Sequence, residues 1–273
     1  MNNKRVRVAA APKSLFNLKR KTFAYPYMLF LLVFIVVPLV MILINAFLDQ
    51  NNAITLKNFA DFFSDGTGLG VLANSLVIGL VTTLLCLVIG YPAAYFLSRY
   101  HQGNKILVLF FILPMWVNFL IRTLSTKAIF LALNVELGMG TVIAGMVYNF
   151  LPFMILPIHT ALTGIDKSYY EAASDLGADS LTVFMKMTVP LSVPGVASGI
   201  TMVFIPTIST FAISELLSNR QIFLFGDSIQ TKFSQGLYGV GSVMSLVMLL
   251  LVIASNLVLN RFDGKRETEG GSV

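Results

Sequence analysis

The residues Glu171-Ala172-Ala173-Ser174-Asp175-Leu176-Gly177, followed by Met187-Thr188-Val189-Pro190, form a polar, helix-forming insert between long apolar runs. Apolar runs of about 20 residues are long enough to cross a membrane as helices. The insert must therefore lie outside the hydrocarbon and divide the chain into membrane helices before it and after it. Its position and polarity make it the segment on which we expect function to depend.

The composition is typical of a polytopic membrane protein. Hydrophobic residues make up 56% of the 273 residues and charged residues 12%, and the mean hydropathy is +0.80. Backbone amides cannot stay unpaired in lipid, and unbroken apolar runs without period-2 alternation favour helices over a barrel. The sequence therefore predicts an all-α protein with six transmembrane helices. The predicted spans are residues 27–48, 72–97, 106–125, 141–163, 192–214 and 239–260.

The distribution of basic residues predicts the orientation, because short cytoplasmic loops retain Lys and Arg. With the N-terminus inside, 14 of the 19 basic residues lie on the cytoplasmic side. Both termini are then cytoplasmic, and the net charge of +6 is an orientation signal and not a nucleic-acid-binding surface. We divide the chain into a basic tail (1–25), the first helix with its outer loop (26–70), a five-helix core (71–261) and a cytoplasmic tail (262–273).

The outer loop from Asp49 to Gly70 contains three phenylalanines, Phe59, Phe62 and Phe63. This spacing predicts a short amphipathic helix at the membrane interface. Two interpretations stay open, a membrane-surface connector and a contact site for a partner.

The polar insert, within the loop 164–190, predicts two short helices. Ser168 and Glu171 have the spacing of a capping box, which would begin the first helix at Ser168. Gly177 stands where a left-handed C-terminal cap is required. Asp179 or Ser180 would cap a second short helix that Pro190 ends. On these features alone, the loop could equally be an ordinary interfacial connector.

Sequence motifs for catalysis are absent. The chain has no G-x-x-x-x-G-K-[ST] phosphate loop, so we expect no bound ATP, and His101, His159 and Cys86 are too few for a metal cluster. An intramembrane enzyme would need a clustered nucleophile and base. A self-sufficient secondary carrier would show paired intramembrane carboxylates and often an inverted repeat. We therefore predict no catalytic residue, no metal and no cofactor.

The insert resembles the coupling loop of permeases in binding-protein-dependent (type I) ABC importers. That loop carries Glu-Ala-Ala, three residues, Gly, nine residues, Ile, any residue and Leu-Pro. Here the spacing is intact, with Met187 and Val189 in place of Ile and Leu. Over residues 15–260 the chain is similar to polyamine (spermidine/putrescine) importer permeases. The segments that carry this likeness are residues 90–97, 113–118, 120–122, 151–154 and 170–178.

This resemblance implies the type I ABC importer transmembrane fold in a bacterial inner membrane. It implies a second homologous permease subunit, two copies of an ATPase that binds ATP, and an extracytoplasmic substrate-binding protein, with lipid around the helices. The connection from Lys127 to Gly140 is shorter than we expect for the family, which puts binding-protein contacts there in doubt. Permeases for iron, sulfate or phosphonate share the loop and are the alternatives. The residues implied to contact the ATPase are Glu171, Ala172, Ala173, Asp175, Gly177 and Pro190.

A polyamine path needs carboxylates and aromatic faces to replace water around the ammonium groups. Glu215, at the outer end of the predicted fifth span, is the leading candidate. Trp116, Tyr148 and Asp227 are its possible companions. Alternatively, Glu215 is a solvated helix-end residue or pairs with Arg122, and Trp116 is an interfacial anchor.

Overall fold

The computed structural model describes residues 24–49, 53–64, 66–100 and 105–263, and these residues are almost entirely helical. The predicted tails lie almost wholly outside the described residues, as does His101. The first half contains α1 (Ala24–Leu31), α2 (Val37–Ala46), α3 (Lys57–Ser64), α4 (Thr67–Tyr100), α5 (Lys105–Trp116) and α6 (Phe119–Ala132). The second half contains α7 (Met139–Thr163), α8 (Lys167–Asp175), α9 (Ser180–Val183), α10 (Val189–Ser209), α11 (Ile213–Leu217), α12 (Phe225–Ser234) and α13 (Tyr238–Asp263).

Within the described residues, five helical stretches are long and apolar enough to cross a membrane. They are Tyr25–Ala46, Gly68–Arg99, Met139–Thr163, Ser180–Ser209 and Tyr238–Val258. The pair α5 and α6 supplies a sixth crossing if it is counted as one broken span. The predicted all-α, six-span fold is confirmed in this sense.

The third predicted span, residues 106–125, is wrong as a continuous helix. The axes of Val108–Trp116 and Phe119–Ala132 differ by 100°. Asn118 causes the break, since its extended backbone ends one helix and its side chain accepts the amide of Leu120 at 2.8 Å, capping the next. Hydropathy cannot detect this cap, because the residues around Asn118 are apolar.

Two wide π-helical turns, Leu32–Val36 and Phe184–Thr188, each come just before a proline, Pro38 or Pro190. Proline lacks an N–H and clashes with the preceding turn of an α-helix. In the second turn the amide of Val189 donates to the carbonyl of Phe184, five residues back, and this widening accommodates the ring of Pro190. The prediction that Pro190 ends the second loop helix is therefore wrong, because the helix continues into α10.

The core of the molecule is formed by α4, α7 and α10, which pack against one another. Glycine permits the closest approach. A Cβ on Gly195 would lie 2.5 Å from the Cβ of Ala161 and 2.7 Å from the carbonyl oxygen of Pro157, so α7 and α10 touch through their backbones. Helix α13 packs on α2, α10 and α12, whereas Ala46 is the one buried residue of Tyr25–Ala46 in this chain.

Helix α3 confirms the predicted amphipathic helix of the outer loop. Asn58 and Phe62 are buried and Phe63 is exposed. The Asn58 amide donates to the carbonyls of Ala46 and Leu48 at 3.1 and 2.8 Å, and the Phe62 ring packs edge-on to Phe225 with centroids 6.2 Å apart. These contacts place α3 and α12 together, at the end of α4 opposite the loop 164–190.

Candidate functional site

The loop 164–190, called the coupling segment below, begins with a well-capped helix. The Asp166 carboxylate accepts the amide of Ser168 at 2.9 Å, and α8 starts at Lys167. This hydrogen bond lowers the pKa of Asp166. The predicted capping box of Ser168 and Glu171 is therefore wrong, because Asp166 lies two residues earlier and reaches the same free amide first.

The end of α8 matches the prediction at Gly177, whose φ is +74°. The amide of Gly177 donates to the carbonyl of Ser174 at 2.9 Å, and the amide of Ala178 donates to that of Ala173 at 3.0 Å. This pair of bonds is a Schellman motif, which satisfies the last carbonyls of a helix and reverses the chain. The chain then starts α9 at Ser180, with Asp179 as the N-cap residue.

Helix α8 has one face against the protein and one face exposed. Tyr170 and Ala173 are partly buried, whereas Ala172 is exposed. Tyr169 is 57% exposed and Leu176 is 88% exposed. Residues 169, 172 and 176 follow helical spacing and form an outward apolar stripe. The coupling-loop motif does not mark Tyr169 and Leu176 as contact residues, although their helical spacing is visible in the sequence.

The predicted coupling residues divide between these faces. Glu171, Ala172, Asp175 and Gly177 are exposed on α8 and its end, whereas Ala173 faces the protein. Pro190 lies in the first turn of α10 and is partly buried, away from α8. Contact of these residues with an ATPase stays a prediction.

A cavity of about 600 Å³ lies at the break between α5 and α6. Trp116 is 84% exposed beside it, and Arg122 and Asn149 line it from α6 and α7. Arg122 is only 8% exposed, and its guanidinium carbon lies 5.9 Å from the Tyr148 ring centroid. Within the described part of the chain, the Nε and Nη1 atoms of Arg122 and the Oδ1 atom of Asn149 are buried without a hydrogen-bond partner. Of the four predicted path residues, Trp116 lines the cavity, and Tyr148 lies behind it against Arg122.

Glu215 and Asp227 lie elsewhere, in the α11–α12 region. Glu215 pairs with Arg220 at 2.7 Å, so the alternative pairing with Arg122 is wrong. Buried Asp227 accepts hydrogen bonds from the Ser214 hydroxyl and from the amides of Leu224 and Ala212, the last two at 2.8 and 3.2 Å. Burial raises the pKa of Asp227 against the effect of these donors.

The hydrogen bonds of Asp227 tie the starts of α11 and α12 together. They also hold Ala212 at a φ of 75°, which an alanine rarely adopts. These contacts give the buried Asp227 carboxylate a structural role. A place for Asp227 on a solute path stays a prediction.

Comparison with known proteins gives a consistent result. The sequence model of binding-protein-dependent transport system inner membrane components matches residues 86–267. The chain is similar to PotB, a permease protein of the spermidine/putrescine transport system, from Haemophilus influenzae, with 32% identity over 264 residues, 85% of this chain and 92% of that protein. The Escherichia coli PotB is 34% identical over 227 residues, covering 74% and 82%.

Solved structures of ABC transporters share the fold. A chain of the bacterial alginate transporter, in complex with its alginate-bound periplasmic protein, superposes with a TM-score of 0.70 at 14% identity and covers 90% of this chain and 93% of its own. A chain of the MetNI methionine transporter in an inward facing conformation gives 0.55 at 19% identity, covering 71% and 94%. The type I ABC importer transmembrane fold is thereby confirmed.

Proposed function

Because this chain belongs to the family of binding-protein-dependent transport system inner membrane components and is the transmembrane subunit of an ABC importer, we propose that its coupling segment docks on a separate ATPase. The observation that carries this proposal is the geometry of α8. It is a short helix capped at both ends, projecting from the core and exposing an apolar stripe. A single exposed apolar stripe on a rigid helix is the pattern of a helix that binds in a groove.

The docking contact consists of Tyr169, Ala172 and Leu176, with Glu171 and Asp175 beside them. Leucine and tyrosine side chains that are exposed in the free subunit gain free energy when the groove removes them from water. Ala172 has a small side chain, which lets the helix backbone approach the groove closely. Gly177 sets the direction in which the chain leaves the contact.

The assembly that fits this role contains a second homologous permease, two ATPase subunits that bind ATP, and an extracytoplasmic binding protein. Both termini and the coupling segment lie in the cytoplasm in this arrangement, in agreement with the excess of Lys and Arg on that side. The α11–α12 region and α3 then face the binding protein. The chain forms one half of the translocation path and catalyses no reaction itself.

The solute we propose is a polyamine, spermidine or putrescine, as in the names of the relatives. Trp116 presents an exposed aromatic face beside the cavity, which suits an ammonium group. The described residues that line this cavity include no Asp or Glu. Glu215, which lies in α11 two residues after the cavity-lining Ile213, is therefore our candidate in this chain for a carboxylate on the path, and the second permease would supply others.

One observation favours a different solute. Arg122 is a buried cation on the cavity wall, with two nitrogen atoms that have no partner within the described chain. An anionic solute such as sulfate or phosphonate would neutralise it, whereas a polyamine would be repelled. The alternative proposal is therefore an importer permease for an anion.

Competition uptake separates these proposals. The gene is reintroduced into a strain that lacks it, and uptake of labelled spermidine is measured. Restored uptake that unlabelled putrescine reduces, and that sulfate and ferric iron leave unchanged, would support a polyamine as the solute. Restored uptake of labelled sulfate would support the anion instead. Transport by the purified chain alone, without an ATPase, would refute the importer role altogether and indicate a secondary carrier.

A further inference from the structure

One face of α4 contacts both arms of the coupling segment, which are α8 before Gly177 and the helix that begins at Ser180 after it. Tyr91, Tyr95 and Arg99 are four residues apart in the last turns of this helix, so they lie on the same side. We call these three residues the α4 stripe. Each of them contacts the coupling segment, either α8 or the helix that follows it.

Arg99 connects the α4 stripe to the first arm, α8. Its guanidinium carbon lies 4.4 Å from the ring centroid of Tyr170 and 5.3 Å from that of Tyr95. A guanidinium group within about 6 Å of a ring centroid is attracted by the negative face of the ring. Because Arg99 is in the last turn of α4, the helix dipole also favours its charge. Tyr170 is on the partly buried side of α8, and the apolar stripe is on its exposed side.

Tyr95 and Tyr91 connect the stripe to the second arm. The Phe184 ring packs edge-on to Tyr95, with centroids 5.0 Å apart, and to Tyr91 at 6.1 Å. The Tyr91 hydroxyl also shares a hydrogen bond of 2.9 Å with the buried hydroxyl of Ser192 in α10. The two arms, which Gly177 separates, are therefore held to the same helix.

The opposite end of α4 is bound to the α12 region. The helix has 34 residues and is about 50 Å long at 1.5 Å per residue. The hydroxyl of Ser75 accepts the amide of Phe225, the first residue of α12, at 2.7 Å. A Cβ on Gly79 would lie 2.6 Å from a methyl group of Ile208, so α4 and α10 are in close contact there. One continuous helix thus contacts the coupling segment at one end and α12 at the other.

We propose that the α4 stripe makes α4 and the coupling segment move as one body, so that displacement of α8 by the ATPase reaches the α11–α12 region. Arg99 and Tyr170 are positioning residues in this mechanism. They touch neither ATP nor the solute and act through α8. The inference rests on the proposed docking of the coupling segment on an ATPase.

The test uses the whole importer, with both permeases, the ATPase and the binding protein, in proteoliposomes. Two ratios are measured, labelled spermidine taken up per ATP hydrolysed, and ATP hydrolysis with the binding protein relative to hydrolysis without it. Arg99→Gln and Tyr170→Leu should each lower both ratios about two- to fivefold, the range expected for losing one exposed cation–π contact. Tyr170→Phe, which keeps the ring, should retain the wild-type ratios.

Two further variants sharpen the result. The double variant Arg99→Gln/Tyr170→Leu should be no worse than Arg99→Gln alone, because Arg99→Gln already removes the contact with Tyr170. Lys186→Gln removes one positive charge from the same segment and should keep both ratios, which controls for charge alone.

Several outcomes would overturn the inference. Wild-type ratios in both Arg99→Gln and Tyr170→Leu would show that the contact is not used. A parallel fall of uptake and ATP hydrolysis, with both ratios unchanged, would assign the residues to stability. If the wild-type complex takes up no spermidine, the proposed solute fails, and the ratio of stimulated to unstimulated ATP hydrolysis still decides the role of the stripe.

Discussion

At the scale of single residues, the coupling segment depends on backbone conformation at a few turn positions. Gly177 has φ of +74° and no atom within 4 Å of a Cβ placed on it, so space is available and only the backbone conformation restricts the residue. A left-handed conformation costs a residue with a Cβ about 1 to 2 kcal/mol, and costs Asn less than other residues. The side chain at 177 therefore controls where α8 ends.

Gly177→Ala should destabilise this turn by about 1 kcal/mol and reduce spermidine uptake more than ATP hydrolysis. Gly177→Asn should have a smaller effect, because Asn tolerates left-handed backbone. Uptake and ATP hydrolysis in proteoliposomes measure the difference. Gly164→Ala is the matched control, since Gly164 has ordinary helical φ of −77°. Equal uptake by the Ala and wild-type proteins would show that the turn tolerates the strain.

The two ends of α8 show what local sequence can determine. Gly177 was predictable, because few residues adopt positive φ and the spacing placed a glycine at the helix end. The N-terminal cap was not, since Asp166 and Ser168 are both good caps and lie within one turn. Which of the two becomes the cap depends on the direction of the chain at Gly164 and Ile165, just after α7. Tertiary packing determines that direction.

At the scale of helices, the discrepancies between sequence and structure occur at polar or proline residues inside apolar runs. Asn118 divides a run that hydropathy treats as one span. Pro190 was expected to end a helix and does not, because a π-helical turn before it removes the clash. Hydropathy measures whether a segment prefers lipid, and it contains no information about local hydrogen bonding.

Asn118→Ala should weaken the start of α6 by about 1 kcal/mol, because the amide of Leu120 loses its side-chain acceptor. Asn118→Asp keeps an acceptor and should retain most of the stability. Thermal unfolding of the purified complex in detergent gives the comparison. Unchanged unfolding temperatures for the Ala variant would mean that packing alone maintains the bend between α5 and α6.

The close contact between Gly226 in α12 and the end of α10 allows a second test of how the helices are placed. A Cβ on Gly226 would lie 2.5 and 2.6 Å from the carbonyl oxygens of Ser209 and Thr210, which are backbone atoms and cannot rotate away. Gly226→Ala should therefore displace α12 from the end of α10 and cost about 1 to 3 kcal/mol. The control is Gly70→Ala, where no atom lies within 4 Å. Equal unfolding temperatures for the two variants would contradict this close packing.

At the scale of the whole molecule, the charged residues of the cavity wall differ from those of the α11–α12 region. The described cavity wall contains Arg122 and no acid, whereas Glu215 and Asp227 belong to the α11–α12 region. The sequence predicted Glu215 as a path residue from its position at the outer end of a predicted span, with Asp227 as a companion. It could not show that Arg220 pairs with Glu215, because that contact depends on the left-handed turn at Asn219 and Arg220.

Glu215→Gln tests whether this carboxylate serves the path. Its ion pair with Arg220 is solvent-exposed, and such a pair contributes about 0 to 1 kcal/mol, so the substitution should hardly change the unfolding temperature. Spermidine uptake should nevertheless fall more than binding-protein-stimulated ATP hydrolysis if the carboxylate replaces water around an ammonium group. Arg220→Gln leaves the carboxylate in place, without its partner, and should retain uptake. Similar losses of uptake in the two variants would instead indicate that the ion pair itself, and not the carboxylate, is what transport requires.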